Sequence, residues 1–391
     1  MWSLPPARSL SVWPLVATCS RGLEDVLRGE LAALGHEEAA AGRGMVSFEG
    51  DLDAVYRANL WLRTATRVLR QLAEGPASNR EALYALASTV AWEEVVARGQ
   101  TIVVEAAGKA GAFPNTGFAA LTVKDAVVDR LRSRWGWRPD VDRRNADVRI
   151  HVHLASDRAG VALDSSGEPL SHRGYRPRGG PAPLSETLAA GILLLAGFDG
   201  SRPFLDPMAG TGTLAIEAAL IATRAAPGVR RTFACERWQQ NEAERLARAR
   251  SFARRAQCDP PAAIVASDNE PRAVAAARHN ARQAGVGDAV RIERRDVREL
   301  QPPGPGAVIV TNPPYGERLG NPAELVVFYR GLGDVLKRRA CGATAWLLVG
   351  NRELAKSIGL RPSRRIVLFN GPIECRLLRF DLYEGTLDAG T

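Results

Sequence analysis

From Arg202 onward the chain repeats one pattern, a short and continuously apolar strand followed by a helix. The strands read RPFLD, AAIVASD, AVRIER, GAVIVT and TAWLLVG, and helices are expected over 213–223, 271–284 and 322–338. Strands without polar alternation are buried on both faces, and intervening helices let neighbouring strands run parallel. This half is therefore constrained to an α/β class with a doubly wound, mostly parallel sheet. The last two apolar runs, RIVLF and CRLLRFDL, are separated only by NGPIE and predict an antiparallel hairpin at one edge.

The chain ahead of that pattern is organised differently. Residues 167–183, GEPLSHRGYRPRGGPAP, are dense in Gly, Pro and Arg and carry no periodic apolar face, which reads as a linker. Two α+β modules precede it. The first, residues 1–70, runs through the strand PLVATC, a helix with Leu23, Val26, Leu27, Leu31 and Leu34 at helical spacing, a strand over 45–48, a helix over 51–62 and the strand ATRVLRQLAE. The second, residues 71–166, holds a helix-turn-helix stretch through Tyr84 and Trp92, the strand TIVVEA, a helix over 122–135 and the strands DVRIHVHLA and AGVALDSSG. The α/β part occupies residues 184–391.

Composition narrows the classes of function. No apolar run reaches the roughly 18 residues of a membrane span, and the prolines at 5, 6 and 14 with little positive charge are unlike a secretory signal. A cytoplasmic protein is expected. The five cysteines include no CxxC pair, and His151 and His153 have no acidic or cysteine partner at ligand spacing, so no metal is expected. A net charge of +9 favours an anionic partner such as nucleic acid. The 52 cations comprise four lysines and 48 arginines, but this bias runs through every segment and marks no patch. The arginine-rich run ERLARARSFARRAQ reads as a solvated helix face.

Three strand ends carry acids. FLDPMAGTGTLAIEAAL places Asp206 before a tight loop with Gly210 and Gly212 and then a helix, a turn that brings backbone close to a ligand. The spacing is not GxGxxG, and an acid ahead of the loop argues against a pyrophosphate. It suits a ligand with a cationic amino group, such as the methionine moiety of S-adenosylmethionine. Asp268 ends the next strand, where an acid binds ribose hydroxyls. Asp296 ends the third, where a carboxylate can accept from an adenine amino group. The most specific string is VIVTNPPYGERLG. An exocyclic amino group on a base is a poor nucleophile because its lone pair is delocalised into the ring. Acceptors from the Asn312 side chain and the Pro313 carbonyl would favour pyramidalisation, Pro314 stiffens the loop, and Tyr315 can stack on a flipped base.

With those strings in hand, the chain resembles the THUMP-domain RNA guanine-N2 methyltransferases, most closely the members acting on bacterial 23S ribosomal RNA. The resemblance extends through ATCSRGLEDVLRGELAALG, LTVKDAVVDRLR, RPDVDRRNADVRIHVHL and LDSSGEPLSHRGYR. It implies a ferredoxin-like unit and an RNA-binding THUMP module joined to a class I, Rossmann-like methyltransferase domain. It implies S-adenosylmethionine held by Asp206, Pro207, Gly210, Gly212, Asp268 and Asp296, with Glu186 and Thr187 packing over its methionine end or simply capping a core helix. The target amino group is expected at Asn312, Pro313, Pro314 and Tyr315, and RNA contacts at Lys124, Arg173, Tyr175 and Arg176. Ala209 stands where relatives often have cysteine, and some relatives carry a second methyltransferase domain, so one activity is expected here. Ribosomal RNA is the preferred substrate, with tRNA, adenine N6 and a non-catalytic assembly role remaining as alternatives.

Overall fold

In a computed structural model the described residues are 12–109, 111, 113–177, 184–314 and 322–383. They form two compact units. One comprises the chain up to Thr18, Arg28–Leu170 and Arg231–Ser251; the other comprises Cys19–Leu27, Ser171–Arg230 and the chain from Phe252 onward.

The first unit is built from β1 (Trp13–Cys19), α1 (Glu24–Ala33), β2 (Ala40–Gly42), β3 (Met45–Gly50), α2 (Leu52–Trp61), β4 (Ala65–Pro76), α3 (Arg80–Ser88), β5 (Ile102–Lys109), α4 (Thr116–Trp135), β6 (Val148–Ala155) and β7 (Arg158–Asp164). All seven strands belong to one sheet of order β2-β3-β1-β4-β7-β6-β5. The module boundary read at residue 70 therefore falls inside β4, which pairs with β7 from Leu69 to Pro76. A sheet that crosses the boundary makes the two modules one folded body. The expected second helix of the helix-turn-helix stretch is a single 3-10 turn, Trp92–Glu94. The long helix begins six positions earlier than periodicity suggests, because the Asn115 side chain caps it by accepting from the Phe118 N–H at 2.8 Å.

Residues 231–251 group differently in space than in sequence order. Sequence order puts them in the α/β domain, yet they complete the first unit. The Cys235 N–H donates to the Ser165 carbonyl at 3.0 Å. The buried Tyr56 hydroxyl donates to Asn241 Oδ1 at 2.7 Å and accepts from the Glu242 N–H at 2.9 Å. The presumed linker is likewise anchored at its start, where Arg231 donates to the carbonyls of Glu168 and Pro169.

The second unit contains α5 (Glu186–Leu195), β8 (Phe204–Asp206), α6 (Thr213–Ala222), α7 (Ala243–Arg255, begun in the first unit), β9 (Ile264–Asp268), α8 (Pro271–Ala284), β10 (Arg291–Arg294), β11 (Val308–Thr311), α9 (Pro322–Arg339), β12 (Thr344–Val349), α10 (Arg352–Ser357), β13 (Arg364–Asn370) and β14 (Ile373–Asp381). The sheet order is β10-β9-β8-β11-β12-β14-β13. The first five strands are parallel and β14 is antiparallel to both neighbours. Alternate residues feed two cores, which explains why the strands are apolar throughout. Phe204, Val308 and Val310 face the layer of α5, α6 and α8, while Leu205 and Ile309 face the layer of α9 and α10. Burying both faces fixes the carboxyl ends of β8, β9 and β11 side by side.

Candidate active site

A cleft of about 600 Å³ opens at those strand ends. Strand order reverses at β8, which has β9 on one side and β11 on the other, and ligands of open α/β sheets bind at such a switch point. The cleft is lined by Asp206, Pro207, Gly210, Asp268, Asn312, Pro313 and Pro314, which brings together most of the residues singled out in the sequence. No Lys, Arg or His is among the described residues that line it.

The loop after β8 is shaped by two glycines in left-handed conformations. Gly212, φ +86°, precedes α6, and a Cβ there would meet Ala277 of α8 at 3.0 Å, so it permits close helix packing. Gly210, φ +52°, has nothing within 4 Å of where its Cβ would lie. A side chain there would fill the cleft. Asp268 holds this loop by accepting from the Gly210 N–H at 2.8 Å and, through its other oxygen, from the Glu270 N–H at 3.0 Å.

Asp206 is fully buried and accepts from the Met208 N–H at 3.2 Å. Burial pushes its carboxyl up to about 7, opposed by the Thr311 hydroxyl and the Met208 N–H and slightly reinforced by Asp268. On the facing strand end, Asn312 presents a side-chain oxygen that is buried and has no hydrogen-bond partner among the described residues. Buried acceptors are normally satisfied, so an orphan facing a cleft is a position made for a donor. Tyr315 lies outside the described residues.

Other expected site residues are placed differently. Asp296 is not among the cleft-lining residues; it caps the turn after β10 and accepts from Arg298 Nε at 2.9 Å and Nη2 at 2.7 Å, which holds its carboxyl below the usual range. Its neighbour Val297 reaches the cleft instead. Glu186 and Thr187 are buried in the first turn of α5, which the Ser185 hydroxyl caps. Glu186 pairs with Arg176 at 2.9 Å, and Arg176 also donates to the Leu184 carbonyl and Thr213 Oγ1, tying α5 to α6. Arg176 is thus held by protein groups.

Arg173 and Tyr175 correct the expectation of RNA contacts more sharply. Both are buried, and both bond to Glu217 of α6, Arg173 Nε at 3.5 Å and the Tyr175 hydroxyl at 3.2 Å. A buried acid needs these partners, so the two side chains are internal. Lys124, on α4 of the first unit, is partly exposed and pairs with Asp125 at 2.7 Å.

Sequence reasoning missed Asn269 and Val297, and also Phe328, Asn370 and Ile373 on the opposite rim. The first two adjoin strand-end acids and were within reach of that signal. The other three come from α9 and the β13–β14 hairpin, and only the strand order brings them to the cleft.

An acid-lined cleft at the switch point of this sheet, with a glycine loop on one side and an orphaned amide acceptor on the other, belongs to the α/β methyltransferase fold. Residues 173–379 match the model of the RMKL-like methyltransferase domain family, and the chain belongs to that family. Residues 14–69 match the RlmL ferredoxin-like domain and 77–164 the THUMP domain.

Among curated relatives, "Ribosomal RNA large subunit methyltransferase K/L" of Syntrophotalea carbinolica is 43% identical over 94% of this chain and 53% of its own length. The chain thus spans about half the length of that protein. "Putative RNA methyltransferase slr0064" of Synechocystis is 37% identical over 96% of this chain and 99% of its own length. Among solved structures, SMU.472, "a putative methyltransferase complexed with SAH", shares 30% identity over 96% of this chain and 99% of its own, with a TM-score of 0.86. No helix among the described residues is long and apolar enough to cross a membrane, and among them no cluster of His, Cys, Asp and Glu could hold a metal.

Proposed function

We propose that the chain is an S-adenosylmethionine-dependent RNA methyltransferase that forms N2-methylguanosine in 23S ribosomal RNA. The observation that carries this reading is the orphaned Asn312 side-chain oxygen, across the cleft from an acid-and-glycine loop. The residues fit the cofactor. Gly210 leaves open the space a Cβ would fill, and a cleft with two acids and no described basic residue suits a cationic ligand. Bound there, S-adenosylmethionine supplies an electrophilic methyl group. Asp206 would meet its ammonium, Asp268 its ribose hydroxyls, and Asn269 and Val297 would flank its adenine.

The chain acts on the nucleophile. Asn312 Oδ1 and the Pro313 carbonyl accept the two amino hydrogens of the guanine, so that the nitrogen lone pair turns out of the ring plane toward the methyl carbon. The N–C bond forms as the S–C bond breaks, and the extra amino proton leaves to water. The first unit supplies RNA affinity, since one base pocket offers too few contacts to select a site in a large RNA. The names of the ribosomal relatives support the 23S substrate.

Incubation with methyl-labelled cofactor and large-subunit RNA, followed by nucleoside mass spectrometry, tests the whole reading. N2-methylguanosine in 23S RNA is expected. Label confined to tRNA, or to N6-methyladenosine, would move the substrate and keep the reaction class. Label in no RNA would overturn the function.

Two predictions concern the cofactor. Asp268→Ala removes a charge-assisted hydrogen-bond pair, at about 1.5–3 kcal/mol, and calorimetry should show a roughly tenfold to hundredfold weaker Kd. An unchanged Kd in the folded variant would take Asp268 out of the site. Affinity should also depend on pH. With the Asp206 carboxyl at about 7, the group is protonated in the empty protein below neutrality and must release that proton to meet an ammonium. Binding should therefore strengthen from pH 5.5 toward 7.5, by at most about tenfold per unit, with proton release seen in buffers of different ionisation enthalpy. A flat profile would remove Asp206 from charge recognition.

A further inference from the structure

The Asn312-Pro313-Pro314 segment has an unusual shortage of anchors. Neither proline has an N–H, so this stretch can be held only through its carbonyls and the Asn312 amide group. Proline fixes φ and leaves ψ free, and ψ is what aims a carbonyl. At the entry end the chain is fixed by β11, whose Thr311 pairs with Leu347 of β12. At the exit end the hydroxyl of Tyr329, on α9, donates to the Pro314 carbonyl at 3.2 Å.

Tyr329 is fully buried, and its neighbour Phe328 lines the cleft with its ring edge-on to that of Tyr329, 5.8 Å between centroids. The phenol is therefore part of a packed core, with its hydroxyl aimed at the loop. We infer that Tyr329 is a positioning residue for methyl transfer: by holding the Pro314 carbonyl its hydroxyl fixes the exit end of the segment, and with the entry end fixed by β11 and both proline φ angles locked, this limits the ψ of Asn312 and Pro313 and so the aim of their acceptors. Tyr329 does not touch the reacting atoms. The inference rests on the reaction proposed above and assigns a further residue to it.

Tyr329→Phe keeps the ring and removes the hydrogen bond. In the full chain the variant should melt within about 2 °C of the wild type and bind S-adenosylmethionine with a calorimetric Kd changed by less than twofold, while kcat on RNA falls about tenfold with little change in KM. The cycle with Asn312→Ala separates positioning from bulk structure. If the hydroxyl acts through the loop acceptors, the double variant loses well less than the product of the two single losses. Full turnover by Tyr329→Phe, a loss shared with cofactor affinity, or losses that multiply would each overturn the inference. Wild-type protein in the same assay keeps the two readings apart, since no transfer by the wild type removes the reaction itself and the inference with it.

Discussion

Asn312→Ala is expected to lower methyl transfer about a hundredfold, by analogy with the loss of other preorganised polar contacts to a transition state, while leaving cofactor affinity within twofold. The side-chain oxygen is buried without a hydrogen-bond partner among the described residues, so its removal breaks no hydrogen bond to them. The melting temperature should accordingly hold or rise slightly. That combination of intact stability, intact cofactor binding and lost turnover is the signature of an acceptor used only by the substrate amino group. Single-turnover kinetics with methyl-labelled cofactor and calorimetry on the same preparation read both quantities. Turnover within a few-fold of wild type would remove Asn312 from the reaction.

Arg173→Ala should show the opposite pattern. Arg173 and Glu217 have side chains only 2% and 0% exposed, and deleting the guanidinium takes a buried counter-charge away from the Glu217 carboxylate. Breaking a pair of this kind costs about 3–5 kcal/mol, which for a domain of this size lowers the melting temperature by roughly 10 °C. Replacing both members with methionine should restore much of the loss, because well-packed apolar side chains can substitute for a buried ion pair. RNA affinity of the folded variant should be unchanged. A variant that melts normally and binds RNA poorly would return Arg173 to the RNA interface.

The α/β half was legible because its strands are apolar on both faces and end in chemically distinctive residues. Asp206, Asp268 and Asn312 each stand where a continuous apolar run stops, and parallel pairing brings those stops together. Asp296 stands at such a stop too, but the nearby Arg298 claims it, and sequence alone does not tell a ligand-binding acid from a cap. Arg173, Tyr175 and Arg176 misled for a related reason. Their neighbours are Gly and Pro and the local signal is that of a loop, while the buried partner of Arg173 and Tyr175, Glu217, is far along the chain and that of Arg176, Glu186, lies beyond the Gly-Pro stretch. Phe328, Asn370 and Ile373 had no local signal, since Phe328 reaches the rim from α9 and the other two from a hairpin in which β14 lies between β12 and β13. β2, only Ala40–Gly42, is too short and too small in side chains to show a period.

The exchange of segments between the two units constrains how the molecule is made. A nascent chain cannot finish the first unit until residues 231–251 have emerged, by which time the segments of α5, β8 and α6 of the second have already been synthesised. The second unit in turn draws on Cys19–Leu27, where Leu23 sits so close to α5 that a Cβ on Gly191 would lie 2.6 Å from it. Vectorial synthesis therefore cannot deliver one finished unit and then the next, because the first is completed by a stretch encoded well downstream. Cutting the gene at residue 184 yields an α/β fragment with an unfilled space beside Gly191 and the residues 231–251 detached from the body they complete.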